Sequence, residues 1–192
     1  MPRHRPQDHY GKRAREQGYP ARSVYKLQQI DRKLRLFEPG QRVLDLGAAP
    51  GSFSLYAAER VGLKGRVVGV DLQPISIAAP AQVRFIQLDV AALDASTLGD
   101  AAPFDIVLSD MAPHTSGQRH RDQFASFELY MLALRVAEAM RAQSCVFVGK
   151  IFQGPELAQA REATARAFGH ARIVKPEASR SESPEIFIVG GK

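Results

Sequence analysis

Val43-Leu44-Asp45-Leu46-Gly47-Ala48-Ala49-Pro50-Gly51, followed by Ser52-Phe53-Ser54-Leu55-Tyr56-Ala57, decides how this chain is read. The first four residues form a short apolar run suited to a buried strand. Gly47 to Gly51 make a turn, and residues 52–61 read as a helix with Phe53, Tyr56, Ala57 and Val61 near one face. Glycines in such a turn let the backbone bend sharply and approach a ligand with no Cβ in the way. In an open α/β sheet this loop lies at the carboxyl end of a strand, where ligands bind. The spacing is not Gly-x-Gly-x-x-Gly and Pro50 sits inside it, which disfavours a dinucleotide pyrophosphate as the guest.

Outward from this loop, strands are expected over residues 43–46, 66–70, 83–88, 104–109, 145–148, 171–174 and 185–189. Helices are expected over 23–36, 52–61, 124–140 and 156–168. The alternation predicts an α/β fold with a mostly parallel seven-stranded sheet and helices on both faces. Three of these strands run into carboxylates, at Asp71, Asp89 and Asp110. At such a place Asp71 can accept both ribose hydroxyls of a nucleoside, and Asp89 can receive an adenine amino group. A lone strand-terminal Asp is more often a cap or a turn residue. Four successive strands ending in a glycine loop or an Asp at one edge favour a nucleoside-bearing cofactor.

The 192 residues fit one domain able to bury its own core without metal or disulfide support. No apolar run approaches the roughly 20 residues that span a bilayer, and the polar, basic start is unlike a signal peptide. A cytoplasmic protein with no membrane partner is expected. Cys145 is alone in an apolar run and reads as a buried small hydrophobe. The histidines are scattered, so no metal site is expected. Net charge is +6, and residues 3–35 carry ten Lys or Arg against three Asp or Glu. A phosphate backbone suits such a segment, although a solvated basic tail has the same composition. The organisation expected is a loosely docked basic arm over residues 1–22 and one domain over 23–192.

Two further stretches carry chemistry. Asp110 lies in Leu108-Ser109-Asp110-Met111-Ala112-Pro113, and Lys150 lies in Val148-Gly149-Lys150-Ile151-Phe152-Gln153-Gly154. A lysine at the mouth of an apolar strand, beside a neighbour's carboxylate, is either a surface ion pair of little worth or a group aimed into the ligand cleft. These stretches, with Ser23-Val24-Tyr25-Lys26-Leu27, Asp45 to Gly51, Ser116-Gly117 and the ending Ser179 to Val189, resemble the FtsJ/RlmE family of ribosomal RNA large-subunit ribose 2′-O-methyltransferases. The resemblance runs in order from about residue 8 to the C-terminus.

It implies a Rossmann-like methyltransferase fold that uses S-adenosyl-L-methionine. It also implies a catalytic tetrad of Lys26, Asp110, Lys150 and Glu185, and cofactor contacts at Gly47, Ala48, Pro50, Gly51, Phe53, Asp71, Asp89 and Asp110. The substrate it implies is a uridine in the A loop of 23S ribosomal RNA within the large ribosomal subunit, acted on by a monomer. Methylation of a tRNA, or a non-catalytic RNA-binding module that keeps the fold, are the alternatives. The chain departs from the family pattern at Phe53 (for Trp), Ser52 (for a second Gly) and His114 (for Asn).

A ribose hydroxyl is a poor nucleophile at neutral pH, so a positioned base helps. Lys150 is the candidate. Desolvation and a second cation favour a neutral amine, while neighbouring carboxylates oppose that. The residues leave open a base and an ammonium that steers the oxygen and stabilises charge. Lys26 has a plain reading as one more arm cation, and Glu185 as a strand start. Arg13, Arg15, Arg22, Arg32, Lys33 and Arg35, with Arg119-His120-Arg121, are expected to hold phosphates without reading sequence. Tyr10, Tyr19 and Tyr25 are candidates for stacking bases, with core packing the alternative for Tyr25.

Overall fold

In the computed structural model, which describes residues 9–180 and 182–192, the chain runs α1 (His9–Glu16), α2 (Val24–Leu34), β1 (Arg42–Leu46), α3 (Ser52–Val61), β2 (Arg66–Asp71) and β3 (Val83–Gln87). It continues through α4 (Ala95–Leu98), with a 3-10 turn on each side, to β4 (Phe104–Ser109), α5 (Arg119–Met140), β5 (Arg141–Phe152), α6 (Leu157–Phe168), β6 (Ala171–Val174) and β7 (Glu185–Gly190). The expected seven-stranded sheet is present, in the order β3-β2-β1-β4-β5-β7-β6. Strands β1 to β5 are parallel where they pair, and β7 enters antiparallel between β5 and β6.

Strand residues alternate faces with period two, and each central strand feeds two cores. Leu44, Val68, Val107 and Phe147 pack with Tyr130, Leu134 and Ala137 of α5. Val43, Val67, Ile106 and Val148 pack on the other face with Leu27 and Ile30 of α2 and Ala57 and Val61 of α3. The strands are buried on both sides, which is why their sequences read as apolar runs.

Register positions the site. Leu46 is level with Val70 and with Ser109, and Ser109 with Gly149. The next residue on each strand is Gly47, Asp71, Asp110 or Lys150, so four residues distant in sequence form one row at the sheet edge. Because the chain leaves β1 toward β2 and later returns to its other side as β4, a crevice opens above β1 and β4.

The basic segment is packed from His9 onward; Arg3 and Arg5 lie outside the described residues. Ala14, Tyr19, Val24 and Tyr25 are buried together with Ala178. Tyr19 donates to Glu59 Oε2 at 2.7 Å and Tyr25 to Gln17 Oε1 at 2.9 Å. Tyr10 leans on Tyr25 under the Arg22 guanidinium. Tyr19 and Tyr25 are therefore packing residues with hydroxyls already engaged, and neither offers a ring to a base.

Ser52, the family departure, has a structural account. Its hydroxyl accepts from Ala21 N at 2.8 Å and donates to Ala21 O at 3.2 Å, fastening the segment before α2 to the start of α3. Ser52→Gly is expected to lower stability by about 1–2 kcal/mol, because two partly buried backbone groups lose their partner. Urea unfolding would show it, and an unchanged midpoint would refute it.

Candidate active site

The loop after β1 is held close to its neighbours. Gly47 N and Ala48 N donate to Val70 O at 2.9 and 3.1 Å, and Ala49 N donates to Asp71 Oδ2 at 2.9 Å. Gly47 has φ +75°, and a Cβ there would lie 2.6 Å from Met111 Cγ. The position therefore demands glycine twice, for its backbone and for its space. Gly47→Ala is expected to destabilise the protein by about 2 kcal/mol and to push the loop from Met111. Thermal melting would check this, with no shift as the contrary result.

A cavity of about 410 Å³ opens above this loop, lined by Gly47, Pro50, Asp71, Asp89, Asp110 and His114 among others. The structure thus gathers five of the eight residues expected to contact a cofactor. Ala48 and Phe53 are buried elsewhere, at 3% exposure each, and Phe53 faces the Phe187 ring with centroids 6.5 Å apart. Gly51 (φ +108°) lies under Ile77 and Phe85 and starts α3. Two of the carboxylates also do local work: Asp71 Oδ1 accepts from Gln73 N, and Asp89 Oδ1 accepts from Ala91 N as the cap of the turn after β3. The cap reading and the cavity reading hold together for Asp89.

Beside the cavity the four candidate catalytic residues form one chain of contacts. Lys26 Nζ lies 2.7 Å from Glu185 Oε2, Lys150 Nζ lies 3.6 Å from Glu185 Oε1, and Lys150 Nζ lies 2.9 Å from Asp110 Oδ1. Lys150 Nζ also donates to the Asp110 backbone oxygen at 2.6 Å. The Lys150 side chain is only 4% exposed, so the surface ion-pair reading does not apply to it. Burial pushes the Glu185 carboxyl up, but Lys26 and Lys150 more than offset this and hold it below the usual carboxylate range. Glu185 therefore stays anionic through neutral pH.

A profile of the FtsJ-like methyltransferase family matches residues 19–192. The chain belongs to the FtsJ-like methyltransferases. A protein of Sorangium cellulosum named ribosomal RNA large subunit methyltransferase E is 51% identical, covering 96% of this chain and 87% of that protein. A protein of the same name from Bdellovibrio bacteriovorus is 46% identical over 96% of each. Among solved structures, one described as a putative ribosomal RNA methyltransferase from Plasmodium falciparum superposes with a TM-score of 0.80 at 24% identity, covering 90% of this chain and 97% of that one. The Aeropyrum pernix fibrillarin, solved with S-adenosyl-L-methionine, gives 0.64 at 14% identity, covering 87% and 73%. At these identities the two structures bear on the fold.

Several residues of this FtsJ-like methyltransferase that matter to the site escaped the sequence reading. Asp45, inside the first motif, carries no role that the motif's pattern assigns. It is fully buried beneath the loop, where Oδ2 accepts from Ser54 Oγ at 2.6 Å and Oδ1 has no partner among the described residues. A carboxylate inside an apolar strand was the available signal. Asp122 holds the loop before α5, accepting from Ser116 N, Ser116 Oγ and Gly117 N at 2.8, 2.7 and 3.2 Å. Gln123 and Ser126 tie α5 to the end of β5: Gln123 Nε2 donates to Gln153 O, and Phe152 N donates to Ser126 Oγ. No local pattern marks those two. Cys145 is buried as expected, and burial pushes its thiol up to about 12.

Of the expected phosphate contacts, Arg15, Arg32, Lys33, Arg35, Arg119 and Arg121 are exposed. Arg13 lies over the Tyr25 ring, and Arg22 donates to Ala178 O at 3.0 Å. These two help to dock the N-terminal segment as well as adding charge.

Proposed function

We propose that the protein methylates the 2′-hydroxyl of a uridine in the A loop of 23S ribosomal RNA, within the large ribosomal subunit, using S-adenosyl-L-methionine. The observation that carries this reading is the contact chain Lys26–Glu185–Lys150–Asp110, whose last member lines the carboxylate-ringed cavity. The names of the relatives support an RNA of the large subunit. A non-catalytic module is not favoured, because all four ionisable residues are present and mutually engaged. A tRNA substrate is not favoured by those names.

The cavity fits the cofactor: Gly47 leaves room where a Cβ would not, and three carboxylates stand around a space suited to a nucleoside. In this reading Asp71 and Asp89 would hold the nucleoside part, and Asp110, paired with Lys150, lines the same cavity. S-adenosyl-L-methionine supplies an electrophilic methyl group on a sulfonium. Lys150 Nζ, after releasing its own proton to solvent, would accept the proton of the ribose hydroxyl, and Asp110 and Glu185, with which it is paired, would stabilise the ammonium that forms. Lys26 anchors Glu185. The exposed cations hold phosphates, so RNA binding should weaken steeply with salt.

The test maps ribose methylation across 23S ribosomal RNA in cells with and without the gene. A site that loses its methyl group in the knockout, restored by the wild type but not by Lys150→Ala, is the expected result. Unchanged methylation throughout that RNA would overturn the reading.

A further inference from the structure

The catalytic tetrad stands as a partition between two cavities. Asp110 lines the cavity assigned above to the cofactor, whereas Glu185 lines a second cavity of about 720 Å³ that shares no lining residue with the first. The loop before α5 separates them: Ala112 and His114 face the first, Thr115 and Gly117 the second. Lys150 touches both partition members. A 2′-hydroxyl meeting Lys150 from the side opposite the cofactor must belong to a nucleotide seated in the second cavity, whose volume is that of a small-ligand site.

Gln123 lies on the wall of this cavity. Its side chain is pinned between two neighbours. Nε2 donates to Gln153 O, and Gly154 makes room, since a Cβ at residue 154 would lie 3.0 Å from Gln123 Cβ and 3.1 Å from Cδ. Gln123 is 5% exposed, and its Oε1 is buried with no hydrogen-bond partner among the described residues. Leaving such an acceptor unmade is costly. What it lacks is a donor. A phosphate at neutral pH has no proton to give it, and the 2′-hydroxyl is committed to Lys150, which leaves the N–H groups on the edge of a base. Arg119 and Lys175 line the same cavity and are exposed, as phosphate partners need to be. Glu182 lines it too, and its carboxylate favours N–H donors over phosphate there.

We propose that this cavity seats the base of the acceptor nucleotide and that Gln123 is a specificity residue, its Oε1 accepting the imide N3–H of uracil. The inference rests on the functional reading above and adds which residue reads the base. The test compares large-subunit RNA carrying uridine with RNA carrying N3-methyluridine at the methylated position, for the wild type and for Gln123→Met, which keeps the bulk beside Gly154. The wild type is expected to lose about tenfold in kcat/KM on N3-methyluridine. Gln123→Met is expected to lose about tenfold on uridine, to treat the two RNAs alike, and to keep wild-type cofactor affinity by calorimetry. Discrimination by Gln123→Met equal to that of the wild type overturns the inference while leaving the functional reading standing. Failure of the wild type to methylate any RNA overturns both.

Discussion

Lys150→Met is expected to cut methyl transfer to RNA about a thousandfold in single-turnover assays with saturating cofactor, within the range that a positioned proton acceptor contributes. The substitution keeps the length of an apolar stem that is almost wholly buried and removes only the amine. Glu185 retains Lys26 at 2.7 Å, but Asp110 loses the cation at 2.9 Å. Breaking a buried pair from one side typically costs about 3–5 kcal/mol. Asp110 is 18% exposed at the cavity mouth and can be resolvated, so a loss at the lower end is expected in the unfolding midpoint. Cofactor affinity measured by calorimetry separates the two effects: Asp110 is the cavity carboxylate paired with Lys150, so any loss of affinity enters through it, and saturating cofactor removes that loss from the rate. Lys26→Met acts only through Glu185 and should lose about one tenth to one hundredth of that factor. Methyl transfer by Lys150→Met within tenfold of the wild type would remove the proton-transfer role.

Why the tetrad was legible and its surroundings were not follows from where each residue gets its position. Asp71 ends β2, Gly47 and Asp110 directly follow β1 and β4, and Lys150 follows the apolar run 145–148 within β5, so all four stand at the close of apolar runs that the sequence displays openly. Parallel register then brings them into one row without any further information. Glu185 reaches Lys150 by another route, from a position level with Phe152, because β7 enters antiparallel between β5 and β6, an order that period-two patterning does not encode. The family resemblance, and not periodicity, placed it. The apolar run marks only four residues, 145–148, of strand β5, which spans twelve. Its polar start, Arg141-Ala142-Gln143-Ser144, pairs only through Phe104–Arg141 before a bulge and looks like loop. The short turns around α4 fall below the length at which periodicity registers. Helix α5 begins at Arg119, five residues before the expected start, since Asp122 gathers the preceding loop onto its first turn. That cap is made by a contact across the turn, which composition does not show.

The second large effect concerns stability and pH. Burial pushes the Asp45 carboxyl up to about 7, the Ser54 hydrogen bond pulling it partly back and the charges of Asp110 and Asp71 raising it further. In the unfolded chain the same group titrates near 3.8. Below that value it is protonated in both states and costs nothing. As pH rises, the unfolded chain gives up this proton first, so the folded state loses stability progressively until pH passes the folded value near 7. The loss totals about 4 kcal/mol, most of it between pH 4 and 7. Asp45→Asn carries no titrating proton and keeps an oxygen for Ser54 Oγ. Relative to the wild type it is expected to gain stability across that interval, the difference between the two changing with pH and levelling off near pH 8. The amide also brings an N–H₂ to the place where Asp45 Oδ1 has no partner, so the variant should start below the wild type at pH 4 by about 1–3 kcal/mol and overtake it with rising pH. Urea unfolding at one-unit pH steps resolves the crossing. Parallel curves from pH 4 to 8 would mean that Asp45 titrates alike in both states, contrary to its burial beneath the Gly47 loop.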